Sequence, residues 1–512
     1  MTNSFRTIAS DIGGGRVLLL FLLFLLAIYQ LVTAGFNAFA IVCLMPALVI
    51  FVVTSFQKRM FCFWLLCIVN YFVQFKNLPV SIPTSVPNEL LEIILLALAI
   101  IDAKQLKLER AFNMMFFCLL IWGAYCTLEV LNDTCGIGID FGSWYTAARM
   151  MAFQLIYAFL VYTLYITNPK LLVKYLYVWG ALALFAVFWV WKQQNMGFTA
   201  TENQWIQTRG RSTHILQAGT LIRYFSIYSD AANFGIGIAS TAVAFIIFGI
   251  TSKIRRHKLF FLITGIACVW AMFPSGTRTA TFCLMAGLMT YIFLSKSIKI
   301  AVPFTAFFVL AFCLLAFTTI GNSNQQIRRM RTAFDPNDAS AGARAVNQEA
   351  MKKYMKEAPW GIGMQVGYQN VPANNKFTFM ATVPPDSEYV FIWIHTGLIG
   401  ITTFLITTAL MLIAACYVVL FRLRSPSLRG IGAGFCCAFV SQQLGGYGNQ
   451  VLMQFPNCLV FYGGLSLVFV LPYIEEEWLV YEQTKLAEQE ERRRRRLEAR
   501  KNKRVKSWFS WR

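Results

Sequence analysis

Two stretches of this chain, 17–34 and 301–317, run without a single charged residue. A helix that crosses a hydrocarbon core of roughly 30 Å needs about 20 mostly apolar residues, so both are long enough to do so. The rest of the chain agrees, with 57% of its 512 residues hydrophobic and 13% charged. A soluble domain has no interior large enough to hide so much apolar surface. The expected fold is all-α, a polytopic integral membrane protein.

Hydropathy marks candidate spans near 17–34, 38–55, 60–75, 88–103, 111–131, 147–167, 171–191, 232–250, 259–274, 279–295, 299–319, 389–420, 430–446 and 453–473. The span at 60–75 is short and that at 430–446 is glycine-rich, so 12–14 transmembrane helices are expected. Arg6 and Arg16 precede the first of them, but Leu18–Val32 is long and no small-residue cleavage site follows it cleanly. It is expected to be a retained span rather than a signal peptide.

Orientation follows from the connecting loops. With the N-terminus inside, Lys58-Arg59, Lys104/Lys107/Arg110, Lys170/Lys174, Lys253/Arg255/Arg256/Lys258, Lys296/Lys299 and Arg422/Arg424/Arg429 all fall on one face. The Arg492–Arg496 run joins them after the last span. The other face receives Asn132–Asp140 and two long loops, near 192–231 and 320–388. This is the positive-inside pattern, and it places both termini in the cytoplasm. The chain divides into N-terminal helices (1–195), a central region (196–420) whose large outer loop precedes the last three spans, C-terminal helices (421–473) and a basic tail (474–512). The net charge of +21 is then accounted for by inner loops and a tail that anchor topology and meet anionic lipid headgroups. Nucleic acid is not an expected partner of the Arg492–Arg496 run. The tail is expected to begin as a helix, and Trp508 and Trp511 suit a membrane interface.

The 13 cysteines lie almost entirely inside apolar spans, with only Cys135 in an expected loop. They read as small packing residues rather than a disulfide framework. The three histidines, His214, His257 and His395, are scattered, and no spacing suits a metal, a Walker A loop or a dinucleotide fingerprint. No metal or cofactor is expected.

Chemistry is expected at the outer ends of the spans. Arg209, Arg211, Arg223, Arg278, Arg328, Arg329, Arg331 and Arg344 lie on the face that orientation bias leaves poor in positive charge. Arginine presents a planar fork of donors suited to phosphate, so an anionic lipid-linked substrate is one cause; pairing with loop acids or headgroups is the plainer one. Arg223 lies in the segment Leu221–Asn233, just before an apolar helix that Asp230 can cap. Arg278 lies in Pro274-Ser-Gly-Thr-Arg-Thr279, a break between two apolar spans. A helix N-terminus after a glycine turn attracts anions.

The loop 320–388 is too long to be a mere connector. It reads as a turn at Asp335-Pro336, an amphipathic helix from Ala339 to Lys356, then Pro359-Trp-Gly-Ile-Gly363 and Pro384-Pro-Asp-Ser-Glu-Tyr389. Asp386 and Glu388 are candidates for a carboxylate general base, because low-dielectric surroundings disfavour the charged form and raise basicity. A helix cap at Asp386 with Glu388 in the first turn fits the same pattern, and one residue can do both.

These features, in this order, resemble the O-antigen ligase and O-antigen polymerase superfamily of membrane glycosyltransferases. The resemblance is carried by Arg223–Asn233, by Ser275-Gly-Thr-Arg278, by Arg344 with Pro359–Gly363, and by Pro385-Asp-Ser-Glu-Tyr389 followed by Thr396-Gly-Leu-Ile-Gly400. It covers roughly residues 200–420, and the order of the motifs is more specific than any one of them. It implies a metal-independent enzyme of the bacterial inner membrane that takes a glycan from undecaprenyl diphosphate. The acceptor would be a hydroxyl of lipid A-core in a ligase, or of a lipid-linked glycan in a polymerase. By the same resemblance Arg223, Arg278 and Arg344 would hold the diphosphate. Ligases of this group carry a histidine–asparagine pair where this chain has Asp386-Ser387, so the base would be Asp386 or Glu388. His395 reads as a packed or backbone-bonded histidine, and His214 as a minor candidate. A flippase for the same lipid would place its charges along a cavity at mid-membrane depth; arginines gathered at one face favour the enzyme.

Overall fold

The computed structural model describes residues 50–77, 85–104, 106–216, 221–295, 339–367, 370–382 and 386–509, with scattered positions in 22–33 and 302–328. Only scattered positions of the spans expected near 17–34 and 299–319 are described, and most of that near 38–55 and the Asp335-Pro336 turn lie outside these residues. The chain forms two compact units, Met1–Leu65 and Leu66–Arg512. In the first, the helix Ile50–Gln57 meets the start of α1 (Arg59–Phe72) at a bend of 118°. The elements that carry the candidate site belong to the second.

That unit is built from helices, as expected of the fold class. They are α2 (Val86–Ile101), α3 (Met114–Leu128), α4 (Phe141–Tyr165), α5 (Pro169–Met196), the short α6 (Ala200–Trp205), α7 (Ala231–Thr251), α8 (Arg255–Met272), α9 (Arg278–Leu294), α10 (Ala339–Met355), α11 (Glu388–Tyr417), α12 (Pro426–Gly448) and α13 (Asn457–Phe509). Seven described segments, those of α3, α4, α5, α7, α8, α11 and α13, are long and apolar enough to cross a bilayer. Sequence signals set their starts. Asn113 caps α3 by accepting from the Met115 and Phe116 amides, and Asn168 caps α5 ahead of Pro169, a favoured first residue.

Helices α7 and α13 form the centre. Their most apolar windows are 83% and 89% buried, against 39% for α3 and α11, which leave apolar faces outward. Small residues allow close approach: a Cβ on Gly265 of α8 would meet Ile246 of α7 at 2.8 Å, and one on Gly249 of α7 would meet Leu262 of α8 at 2.6 Å. Several polar groups within the bundle are paired. Arg149 of α4 forms a 3.2 Å ion pair with Glu89 of α2, and Gln154 donates to Glu92. Glu89 and Glu92 are both buried, so each needs its partner.

The described loops meet in two groups, one richer in basic residues. At the basic end Arg110 donates to the Thr167 carbonyl at 3.1 Å, Lys253 pairs with Glu482 at 3.0 Å, and Glu475 accepts from the Arg424 and Ser425 amides at 2.7 Å. At the other end Asn132 donates to the Trp360 carbonyl, Arg223 to that of Ser275, and Ser229 to Gln454. The tail is one continuous helix with the last span, supported by i,i+4 pairs such as Glu491–Arg495.

Candidate functional site

Three helices begin at one place, and the connection between α12 and α13 holds them there. From α7, Asn233 donates to the Phe455 carbonyl at 2.8 Å and Ser229 to the Gln454 side chain. From α9, Thr279 accepts from Asn449 at 3.2 Å. From α11, Glu388 accepts from the Leu452 amide at 3.0 Å and Ser387 donates to the Gly446 carbonyl at 3.2 Å. Each N-terminus carries the positive end of a helix dipole. Asp230 caps α7 as expected, accepting from the Ala232 and Asn233 amides at 2.8 and 3.0 Å. No side chain caps α9 or α11. Thr277 donates its hydroxyl to the Ala231 carbonyl at 2.8 Å instead, and Ser387 donates to Gly446. The cap ahead of α11 is Ser387 rather than Asp386, which corrects the capping role allowed for Asp386.

Arg223 ties the first two helices together. It follows a small hairpin, β1 (Ile215–Leu216) paired antiparallel with β2 (Leu221–Ile222). Its Nε donates to the Ser275 carbonyl at 3.1 Å, one Nη to the Thr213 carbonyl at 3.0 Å and the other to Thr277 Oγ1 at 3.0 Å. The guanidinium is thereby fixed against the α8–α9 break, which turns through Gly276 at φ 58°. Arg278, half-buried, is the first residue of α9. Two of the three expected arginines, one bonded to this break and one directly after it, thus belong to the same region. Arg344 lies in α10, whose length matches the expected amphipathic helix.

Behind Arg223 sits His214, buried, with both ring nitrogens engaged. Nδ1 donates to the Gly210 carbonyl at 3.1 Å, so Nε2 is the acceptor for the Ala231 amide at 3.2 Å. The ring stands edge-on to Trp205 and Phe225. Burial and the neighbouring Arg223 charge push its pKa down to about 4, which fits a neutral ring that closes the α7 N-terminus rather than a base. Lys76, not singled out from the sequence, lies 4.3 Å from the Trp205 ring centre. Burial lowers its pKa to about 8, with Asp230 opposing and Arg209 reinforcing the shift. Arg209 and Arg211, close to His214 in the sequence, are exposed.

The described part of the long loop ahead of α11 folds as a lobe around Met351, Met355, Ile362, Phe377, Met380, Cys135 and Ile394. Its Pro359–Gly363 segment enters a break in α11 at Gly397, where φ is 68°. The carbonyls that the break releases find new donors. Ile394 accepts from the Ile362 amide at 2.9 Å, His395 from the Gly363 amide at 3.1 Å, and Thr396 from the Tyr125 hydroxyl at 2.8 Å. The Leu398 amide donates to the Pro359 carbonyl at 3.0 Å. Interrupted helix at membrane depth requires this kind of replacement. His395 Nδ1 bonds the Gly363 carbonyl at 3.1 Å, the backbone-bonded role expected of it.

The two carboxylates differ. Glu388 is buried, and its carboxylate holds the Leu452 amide. Asp386 is exposed and has φ 51°, a left-handed conformation that Asp tolerates better than most residues. Among the described residues no group of three His, Cys, Asp or Glu is placed to hold a metal ion.

Residues 263–405 match the family model described as O-antigen ligase. Over that stretch the chain is O-antigen ligase-like. The matched segment holds Arg278, Arg344, the Pro359–Gly363 insertion, Asp386, Glu388 and the break at Gly397, while Arg223 and the hairpin lie upstream of it. No curated protein matches the chain. The family points to a membrane protein with a glycosyltransferase-like activity on lipid-linked glycan. Sequence reasoning missed Lys76, Asn449, Gln454 and Asn457, the last of which donates to the Asn233 carbonyl at 3.0 Å. The last three had a signal, since Gln442, Gln443, Asn449, Gln450, Gln454 and Asn457 crowd side-chain amides between two apolar segments.

Proposed function

We propose that this protein transfers a glycan from undecaprenyl diphosphate to an acceptor hydroxyl at the outer face of the bacterial inner membrane, with lipid A-core as the acceptor. The observation that carries this reading is the meeting of three helix N-termini beside Arg223 and Arg278, at the end of the bundle away from the basic loops. Helix dipoles and guanidinium groups together stabilise an anion, and a departing diphosphate gains negative charge as its bond to the sugar breaks. The acceptor oxygen attacks the anomeric carbon, the anomeric carbon–oxygen bond breaks, and the diphosphate leaves with the electron pair. Asp386 takes the acceptor proton, and Arg344 is a further diphosphate contact. Both termini are cytoplasmic in this reading, with the 320–388 loop periplasmic, and no metal takes part.

The test is a deletion strain examined on a lipopolysaccharide gel and complemented with wild type or Arg278→Ala. Loss of long chains from lipid A-core, with polymer still on the carrier lipid, is the expected result, and Arg278→Ala should fail to restore them. A single-repeat band would instead make the protein a polymerase whose acceptor is the lipid-linked glycan. An unchanged profile would remove both.

A further inference from the structure

At the basic end, on the far side of the bundle from these helix N-termini, a cleft of about 470 Å³ opens among α3, α11 and α13. That volume is in the range of small-ligand sites, roughly 300–1,000 Å³. Its lining includes Arg110 and Arg422 together with Leu410, Ile413, Tyr417 and Tyr473. Leu410, Ile413 and Tyr417 are 38%, 64% and 57% exposed, so the wall faces outward where lipid chains would lie. Arg110 is 6% exposed. One Nη is held by the Thr167 carbonyl, but its buried Nε has no hydrogen-bond partner among the described residues. Neither arginine forms an ion pair with a described carboxylate, although Glu477 lies near enough to favour the Arg110 charge. A buried donor without an acceptor is costly, and a guanidinium fork matches phosphate oxygens.

We propose that this cleft binds one anionic glycerophospholipid, its phosphate held by Arg110 and Arg422 and an acyl chain along Leu410, Ile413 and Tyr417. Basic pockets between membrane helices suit such headgroups. The apolar wall selects a lipid over free phosphate, and the second arginine selects a net negative headgroup over a zwitterionic one. The site is independent of the transfer reaction and lies at the opposite end of the helices.

Native mass spectrometry of the full chain in detergent, with phosphatidylglycerol or phosphatidylethanolamine added, tests this. Wild type should retain the phosphatidylglycerol adduct at least threefold better than the phosphatidylethanolamine one. Arg422→Gln should remove that preference. Ala414→Trp, which fills the cleft and leaves both arginines in place, should lose the adduct, while Arg492→Gln in the tail should keep it. Equal retention of the two lipids by wild type, or unchanged retention in both cleft variants, would overturn the proposal.

Discussion

Gly361 and Gly397 meet backbone to backbone: a Cβ on Gly361 would lie 2.5 Å from the Gly397 nitrogen. A Cβ on Gly397 would strike the Pro359 carbonyl oxygen. Both residues also have positive φ, 81° and 68°. Two short motifs 36 positions apart are therefore one structural device, by which the lobe supplies the hydrogen bonds that the broken α11 lacks.

Gly361→Ala and Gly397→Ala should each destabilise the protein. A positive φ of this kind alone costs an L-residue roughly 1–3 kcal/mol, and the clash adds to it. Thermal unfolding in detergent should show a lower midpoint for each, with the lobe no longer protected from protease. An unchanged midpoint in both would mean that the lobe and α11 are not coupled in this way.

How much of this could be read beforehand depends on the distance over which each signal acts. Asp230 as a cap and the helix Ala339–Lys356 were legible because capping and amphipathic spacing are local. The two ends were legible because each loop carries its own charge. The role of Pro359–Gly363 was not, since the break it repairs lies more than thirty residues later. The difference between Asp386 and Glu388 was not legible either, since the Glu388 carboxylate is held by the Leu452 amide, 64 residues on. The three helix N-termini are joined by the connection between α12 and α13, a tertiary fact that no window along the chain contains.

Arg223→Lys should behave like Arg223→Ala in transfer, each losing roughly 100-fold or more, the scale of removing a fixed electrostatic donor. Lysine keeps the charge but has a single nitrogen, and it cannot reach Ser275, Thr213 and Thr277 from one position. Donor turnover in membranes measures this. Activity near wild type in the lysine variant would show that charge alone suffices.

Lys76 should give anion binding an alkaline limit. Its folded pKa of about 8 lies below the ordinary 10.5, so the folded protein loses this charge as pH rises through 8 while the unfolded chain keeps it. Between those values the unfolded state binds more protons, so this group's contribution to stability rises with pH even as the site's charge disappears. Calorimetric titration with pyrophosphate should show affinity falling from pH 7 to 9.5, and Lys76→Gln should be weaker and flatter. A parallel decline in the variant would exclude Lys76 from the site.

His214 should make the fold acid-sensitive. Its pKa is about 4 in the folded protein against 6.5 ordinarily. As pH falls from 6.5 towards 4 the unfolded state takes up a proton that the folded state refuses, so stability falls with pH. Protonating Nε2 would also remove the acceptor for the Ala231 amide. The unfolding midpoint of wild type should drop more steeply over this window than that of His214→Gln. Equal slopes would mean that His214 does not titrate in this way.

Asp386 and Glu388 should separate when each is replaced by its amide. Asn adopts left-handed backbone as readily as Asp, so Asp386→Asn should leave the unfolding midpoint unchanged. If Asp386 takes the acceptor proton, transfer should fall by roughly 100-fold or more, the usual worth of a general base. Gln at 388 keeps a carbonyl oxygen for the Leu452 amide, so Glu388→Gln should retain most activity. Glu388→Ala strands that amide in a buried position and should lower the midpoint, by about 1–3 kcal/mol of stability. Inactivity of Glu388→Gln with normal folding, alongside an active Asp386→Asn, would move the base from the exposed carboxylate to the buried one.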